Sequence, residues 1–70
     1  MTAREFAERF KPFLHVRRIA EAAGIKEPTW YGAVTRDRAL TADERRRLRA
    51  AVEAHADELR RMAGEIEGNE

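Results

Sequence analysis

Cysteine and serine are both absent from this 70-residue chain. Without cysteine there is no disulfide staple and no thiolate to hold a structural metal. With serine gone as well, the two commonest side-chain nucleophiles are missing. The two histidines, His15 and His55, lie far apart and neither sits in a motif with a carboxylate partner. That excludes a zinc motif and an obvious acid–base pair, so the expectation is a protein without enzymatic activity, metal, cofactor or small-molecule ligand. No stretch approaches the roughly 20 apolar residues that span a bilayer, and the first residues carry no apolar signal core. A cytoplasmic protein outside the membrane is expected. A chain this short makes one small domain with a modest core.

What is plentiful is charge, and it is unevenly placed. Residues 1–38 carry eight Lys/Arg against five Asp/Glu, whereas residues 39–70 carry six against eight; the formal net charge is +1. The front half is therefore the face that would tolerate phosphate, and Glu65, Glu67 and Glu70 at the far end would be repelled by it.

The pattern is helical throughout. Thr2-Ala3-Arg4-Glu5 reads as a capping box, and Phe6 and Phe10 fall at i, i+4 on one stripe of a first helix that Pro12 ends. Phe13, Val16, Ile19, Ala20 and Ala23 define a second helix closed by Gly24. Ile25 to Glu27 form a turn, Pro28 sits in the first turn of a third helix over 27–35, and Thr35 to Leu40 form a loop. Thr41 to Glu44 make a second capping box. The last helix, expected over 42–63, is about 33 Å long at 1.5 Å per residue. Gly64 and Gly68 imply a flexible acidic tail over 64–70.

Val16 to Thr35 fits a helix-turn-helix. Two helices crossing steeply need a small residue at the contact, which Ala20 supplies, and a turn residue tolerant of positive φ, which Gly24 supplies. Ile19, Ile25 and Trp30 fill the wedge, so Trp30 reads as core and not as an exposed stacking platform. Phe6, Phe10, Phe13 and Leu14 read as core or dimer surface. Arg17 and Arg18 open the second helix, where such a motif crosses a phosphate backbone, and Arg36 and Arg38 follow the third. These four are the candidate phosphate contacts.

The stretches IAEAAGI, YGAV and LTADERRRLRAAV, within residues 12–53, resemble the lambda-repressor-like family of DNA-binding domains, which includes Cro-type proteins and the lac-repressor headpiece. The resemblance implies an all-α bundle of about four helices that binds double-stranded operator DNA as a dimer and controls transcription. Its base-facing positions fall here on Lys26, Glu27, Pro28, Thr29, Tyr31, Gly32 and Thr35. Two departures stand out. Lys26 and Glu27 occupy the turn where Ser or Thr usually caps the reading helix, and Gly32 stands where Arg, Gln or Asn often touches bases.

Leu48, Val52, His55, Leu59, Met62 and Ile66 recur at alternating spacings of four and three, a heptad seam too long for three short helices to cover. A second copy is the simplest cover, with His55, Leu59, Met62 and Ile66 as candidate dimer contacts. Arg45, Arg46, Arg47 and Arg49 point in successive directions about 100° apart and read as a solvated face, with Arg49 pairing to Glu53. Two functions follow: a phage- or bacterial-type DNA-binding regulator acting as a homodimer, or a protein-interaction module that keeps the scaffold and uses its long helix. Gly32 and the near-neutral charge favour the second.

Overall fold

The computed structural model describes residues 1–68. Thr2 caps the first helix as its spacing predicts: its hydroxyl accepts from the Glu5 amide at 3.1 Å, and Glu5 accepts from the Thr2 amide at 3.0 Å. Helix α1 runs over Ala3–Phe10, α2 over Val16–Ala22, α3 over Glu27–Thr35 and α4 over Ala42–Gly68. The protein is all-helical, with a long C-terminal helix. No helix among the described residues is long and apolar enough to cross a membrane.

The core is Phe6, Ile19, Ile25, Trp30, Leu40 and Leu48, with alanines 3, 20, 23 and 33 at the close approaches. Helix α1 packs on α3, and α2 packs on both α3 and α4. Ala20 is buried at 1% exposure, which is what lets the short helices cross closely. Phe6 meets Trp30 edge-on at 5.8 Å and stacks at a tilt on Phe10 at 4.7 Å, both favourable aromatic geometries. No polar side chain is buried in this core.

Two boundaries differ from the sequence pattern. Phe13 is not part of α2: His15 is the N-cap, and Phe13 sits in the preceding turn at 79% exposure. After Pro12 the backbone turns once more, with the Phe13 and Leu14 amides both donating to the Phe10 carbonyl, so Leu14 and not Phe13 packs against the core. Helix α4 continues through Gly64 to Gly68 instead of stopping at Ala63. A helical glycine costs only about 1 kcal/mol, and the exposed pairs Arg60–Asp57 and Arg61–Glu58 support the preceding turns. The tail expected over 64–70 is therefore helical as far as Gly68; Asn69 and Glu70 lie outside the described residues.

At 27 residues α4 is about 40 Å long, and it accounts for the 48 Å extent of a body only 21 × 19 Å in cross-section. Leu48 is fully buried under the short helices, while residues 57–68 are exposed all round. The first half of α4 is core. The second half projects.

Candidate nucleic-acid interface

Gly24 closes α2 at φ +81°. Its amide donates to Glu21 and the Ile25 amide reaches back to Ala20 at 3.0 Å, the paired bonds of a Schellman turn. Any side chain at Gly24 would be strained by that φ, and its Cβ would press on the Arg47 guanidinium at 3.1 Å. This turn swings α3 away from α2 and leaves one long face of α3 uncovered. Trp30 and Ala33 point inward; Lys26, Glu27, Pro28, Thr29, Tyr31 and Thr35 are exposed, with Tyr31 at 72%. Gly32 is half-buried at the edge of that face.

The other end of α3 is tied by contacts with no signature in the sequence. Asp37 adopts φ +52° and closes a second Schellman turn, with the Arg38 amide bonded to Ala33 and the Asp37 amide to Val34. Arg4 reaches across from α1 and donates to the carbonyls of Val34 and Thr35, at 3.3 and 2.8 Å. A cation on the carbonyl end of a helix is favoured by charge as well as by hydrogen bonding.

The basic side chains divide into two groups. Every arginine of α4 has a partner: Arg45 donates to the Leu40 carbonyl, Arg46 and Arg47 share Asp43, Arg49 pairs with Glu53, and Arg60 and Arg61 pair one turn back. The run Arg45–Arg47 is thus held by Asp43 of the same helix and by the Leu40 carbonyl, and the Arg49–Glu53 pair forms as its spacing predicts. In contrast, Arg9, Lys11, Arg18, Lys26 and Arg36 have no side-chain hydrogen bond or ion pair among the described residues. A cleft of about 510 Å³ between α2 and the start of α3 gathers His15, Arg17, Arg18 and Lys26, against Glu21 and Glu27. Arg17 touches Glu27 at 3.2 Å with both side chains more than 60% exposed, a pair that water and salt screen almost entirely.

Arg38 requires a correction. Its guanidinium holds Glu44 in a two-point pair, both bonds at 2.9 Å, and also donates to the Ala39 carbonyl. A phosphate contact would cost that arrangement, so Arg38 is a structural residue and leaves the phosphate-contacting set. The Arg38 guanidinium, helped by the Thr41 amide, holds the Glu44 carboxyl down to about 2. Thr35 is similarly committed: its hydroxyl donates its one proton to the Tyr31 carbonyl at 2.7 Å, leaving the oxygen as an acceptor and the methyl group for an outside partner. His15, at the α2 N-cap and in the basic cleft, is a residue that spacing alone did not single out.

Gly32 has nothing within 4 Å of where a Cβ would stand. Gly32→Ala is therefore expected to stabilise the domain by about 1 kcal/mol through helix propensity alone. In a domain of this size that raises the thermal midpoint by roughly 4–8 °C, read by far-UV circular dichroism. A lowered midpoint would mean that the α3 backbone is not regular helix at this position.

Among the described residues no three His, Cys, Asp or Glu side chains gather as a metal site. Compared with known proteins, the chain matches no family model, no curated protein and no solved structure.

Proposed function

We propose that this chain is a small cytoplasmic DNA-binding regulator of transcription, acting as a homodimer that lays α3 in the major groove. It works by binding alone, with no cofactor and no catalytic step. The observation that carries the reading is the division of charge: every arginine of α4 is held by a partner within the protein, while Arg18 and Lys26, without ion pairs among the described residues, line the cleft between α2 and the start of α3. Phosphate contacts supply most of the affinity of such a protein, and base edges supply its preference. Arg17, Arg18, Lys26 and Arg36 are placed for the first role, and Thr29 and Tyr31, flanking buried Trp30, for the second. A dimer would set its two α3 helices about 34 Å apart, one helical repeat of DNA. The resemblance to lambda-repressor-like domains supports the same assignment.

Random-sequence duplex DNA at low salt is the direct test. Binding is expected, and it should collapse as salt rises. Replacing Arg17 and Arg18 together by alanine should weaken every sequence alike and reduce the slope of log affinity against log salt by roughly 2, one for each lost phosphate contact. An unchanged slope would sink the roles given to these two residues.

The second reading is a protein-interaction module. Gly32 at the edge of the outward face and the exposed apolar residues of distal α4 favour it. A folded chain that ignores DNA even at low salt would decide for it.

A further inference from the structure

Helices α2 and α4 flank an open groove of about 770 Å³. Alanine dominates its apolar lining, with Ala22 and Ala23 at the end of α2 and Ala50, Ala51 and Ala54 from α4 beside buried Ile19; His15, Arg18, Arg47 and His55 complete it. No carboxylate lines it. A basic rim around a floor of small side chains is shaped for an acidic helix carrying large apolar side chains, because alanine lets two helix axes approach closely.

This chain contains such a helix. The projecting half of α4 exposes Leu59, Met62 and Ile66, at 49%, 49% and 73%. Around them stand Asp57, Glu58, Glu65 and Glu67 against only Arg60 and Arg61. Those two arginines are already paired with Asp57 and Glu58, which leaves Glu65 and Glu67 uncompensated. At the groove the imbalance is reversed: Arg46 and Arg47 share the single carboxylate of Asp43, and Arg18 has no ion pair among the described residues. The charge each half lacks is the charge the other half carries.

We propose that the α2–α4 groove seats the projecting half of α4 from a second copy, the two α4 helices running antiparallel about a two-fold axis near Ala56. With the axis between Ala56 and Asp57, Met62 of one copy lies opposite Ala51 of the other, and Leu59 opposite Ala54. Ile66 lies beside Arg47, Glu65 reaches Arg47, and Glu58 faces His55. Residues 47, 51, 55, 58, 62 and 66 recur on one helix face at spacings of three and four, so one stripe carries the Met62–Ala51, Glu58–His55 and Ile66–Arg47 contacts, with Leu59 and Ala54 at its edges. Large side chains thus meet alanines, and acids meet bases, twice over by symmetry. A parallel pairing would instead set each acidic end beside its twin and leave the alanine floor empty.

This register deepens the dimer invoked in the proposed function, and it is tested without DNA. Because the chain has no cysteine, introduced thiols report geometry cleanly. Ala51→Cys and Met62→Cys chains, unfolded together, refolded and oxidised, should give a cross-linked pair on a non-reducing gel, whereas Met62→Cys alone should stay uncross-linked. Sedimentation should show the wild-type chain as a dimer. Ala54→Arg, which puts a long side chain where Leu59 of the other copy must seat and is itself at an exposed position, should weaken that dimer at least about tenfold with helix content unchanged. Cross-linking of Met62→Cys to itself, a wild-type monomer at every concentration, or a dimer indifferent to Ala54→Arg would each overturn the proposal; a monomer would leave the groove to some other occupant. A dimer in this register that ignores low-salt DNA would refute the DNA-binding reading alone. A monomer that binds DNA would refute this dimer alone.

Discussion

Replacing Trp30 with alanine is expected to unfold most of the chain at 25 °C. Trp30 is 5% exposed, meets Phe6 edge-on and lies where α1, α2 and α3 converge. Removing a buried Trp typically costs about 3–5 kcal/mol, because the transfer free energy is lost and a cavity remains. A single core in a domain below about 70–80 residues rarely supplies more than 3–5 kcal/mol in total. The loss and the reserve are of the same size, no cysteine is present to form a disulfide, and among the described residues no cluster of metal-ligating side chains adds a backstop. Because the variant removes the only tryptophan, the measurement is far-UV circular dichroism against temperature and urea, not fluorescence. Trp30→Phe, which keeps a ring against Phe6, should retain a cooperative transition at a lowered midpoint. A Trp30→Ala chain melting cooperatively within a few degrees of wild type would show that the three helices do not depend on this contact, and the outward face of α3 would lose its rigid support.

Features encoded in a few neighbouring residues are legible before any coordinates. Both capping boxes form at the predicted residues, since each needs only a threonine and a glutamate three positions later. Gly24 takes positive φ and Trp30 is buried, because the first is a local backbone demand and the second follows from helical spacing. The Arg49–Glu53 pair forms for the same reason. Contacts that depend on where distant segments meet are another matter. Arg4 on the end of α3 spans 31 residues, and nothing in its neighbourhood distinguishes it from Arg9 or Arg18. The pair Arg38–Glu44 looks like two unrelated charges until the turn at Asp37 brings them together, and Asp37 itself stands where glycine would have advertised the turn. Phe13 fits a helical stripe by spacing and is still solvent-exposed, because the turn after Pro12 rotates it out of register.

The same distinction applies to the interface. The composition of the α3 face can be listed from spacing, but which cations remain free depends on the partners that the fold supplies. Arg36 and Arg38 are two residues apart and look equivalent in the sequence. One has no side-chain partner among the described residues, and the other anchors the entry to α4. The alanine groove is hidden for a related reason: an apolar seam announces itself through large side chains, whereas a receptacle for them is built from small residues contributed by two helices.

As pH falls from about 4.5 to about 2 the entry to α4 should lose stability, and Glu44 should be the residue responsible. Its carboxylate accepts both Arg38 bonds and the Thr41 amide at 2.9 Å, and it is 15% exposed. Arg38 first, then the Thr41 amide, holds its pKa at about 2 against an ordinary 4.5, with partial burial opposing them. A carboxylate whose folded pKa is depressed contributes stability that is complete above its unfolded value and is lost as pH falls through the folded one. The window is therefore from about 4.5 down to about 2. Asp43, held low by Arg46 and Arg47, and Glu5, held low by the Thr2 backbone and hydroxyl, push in the same direction from more exposed positions. Glu44→Gln keeps the shape, loses the charge, and should cost about 2 kcal/mol at neutral pH once solvent screening of the partner is allowed for. Urea midpoints measured across pH should show wild type and variant separated by a constant amount above pH 5, converging as the wild-type residue takes up its proton. Parallel curves that never meet would assign the acid sensitivity to other carboxylates. Arg38 would then lose the role given to it here, and its place among the phosphate contacts would reopen.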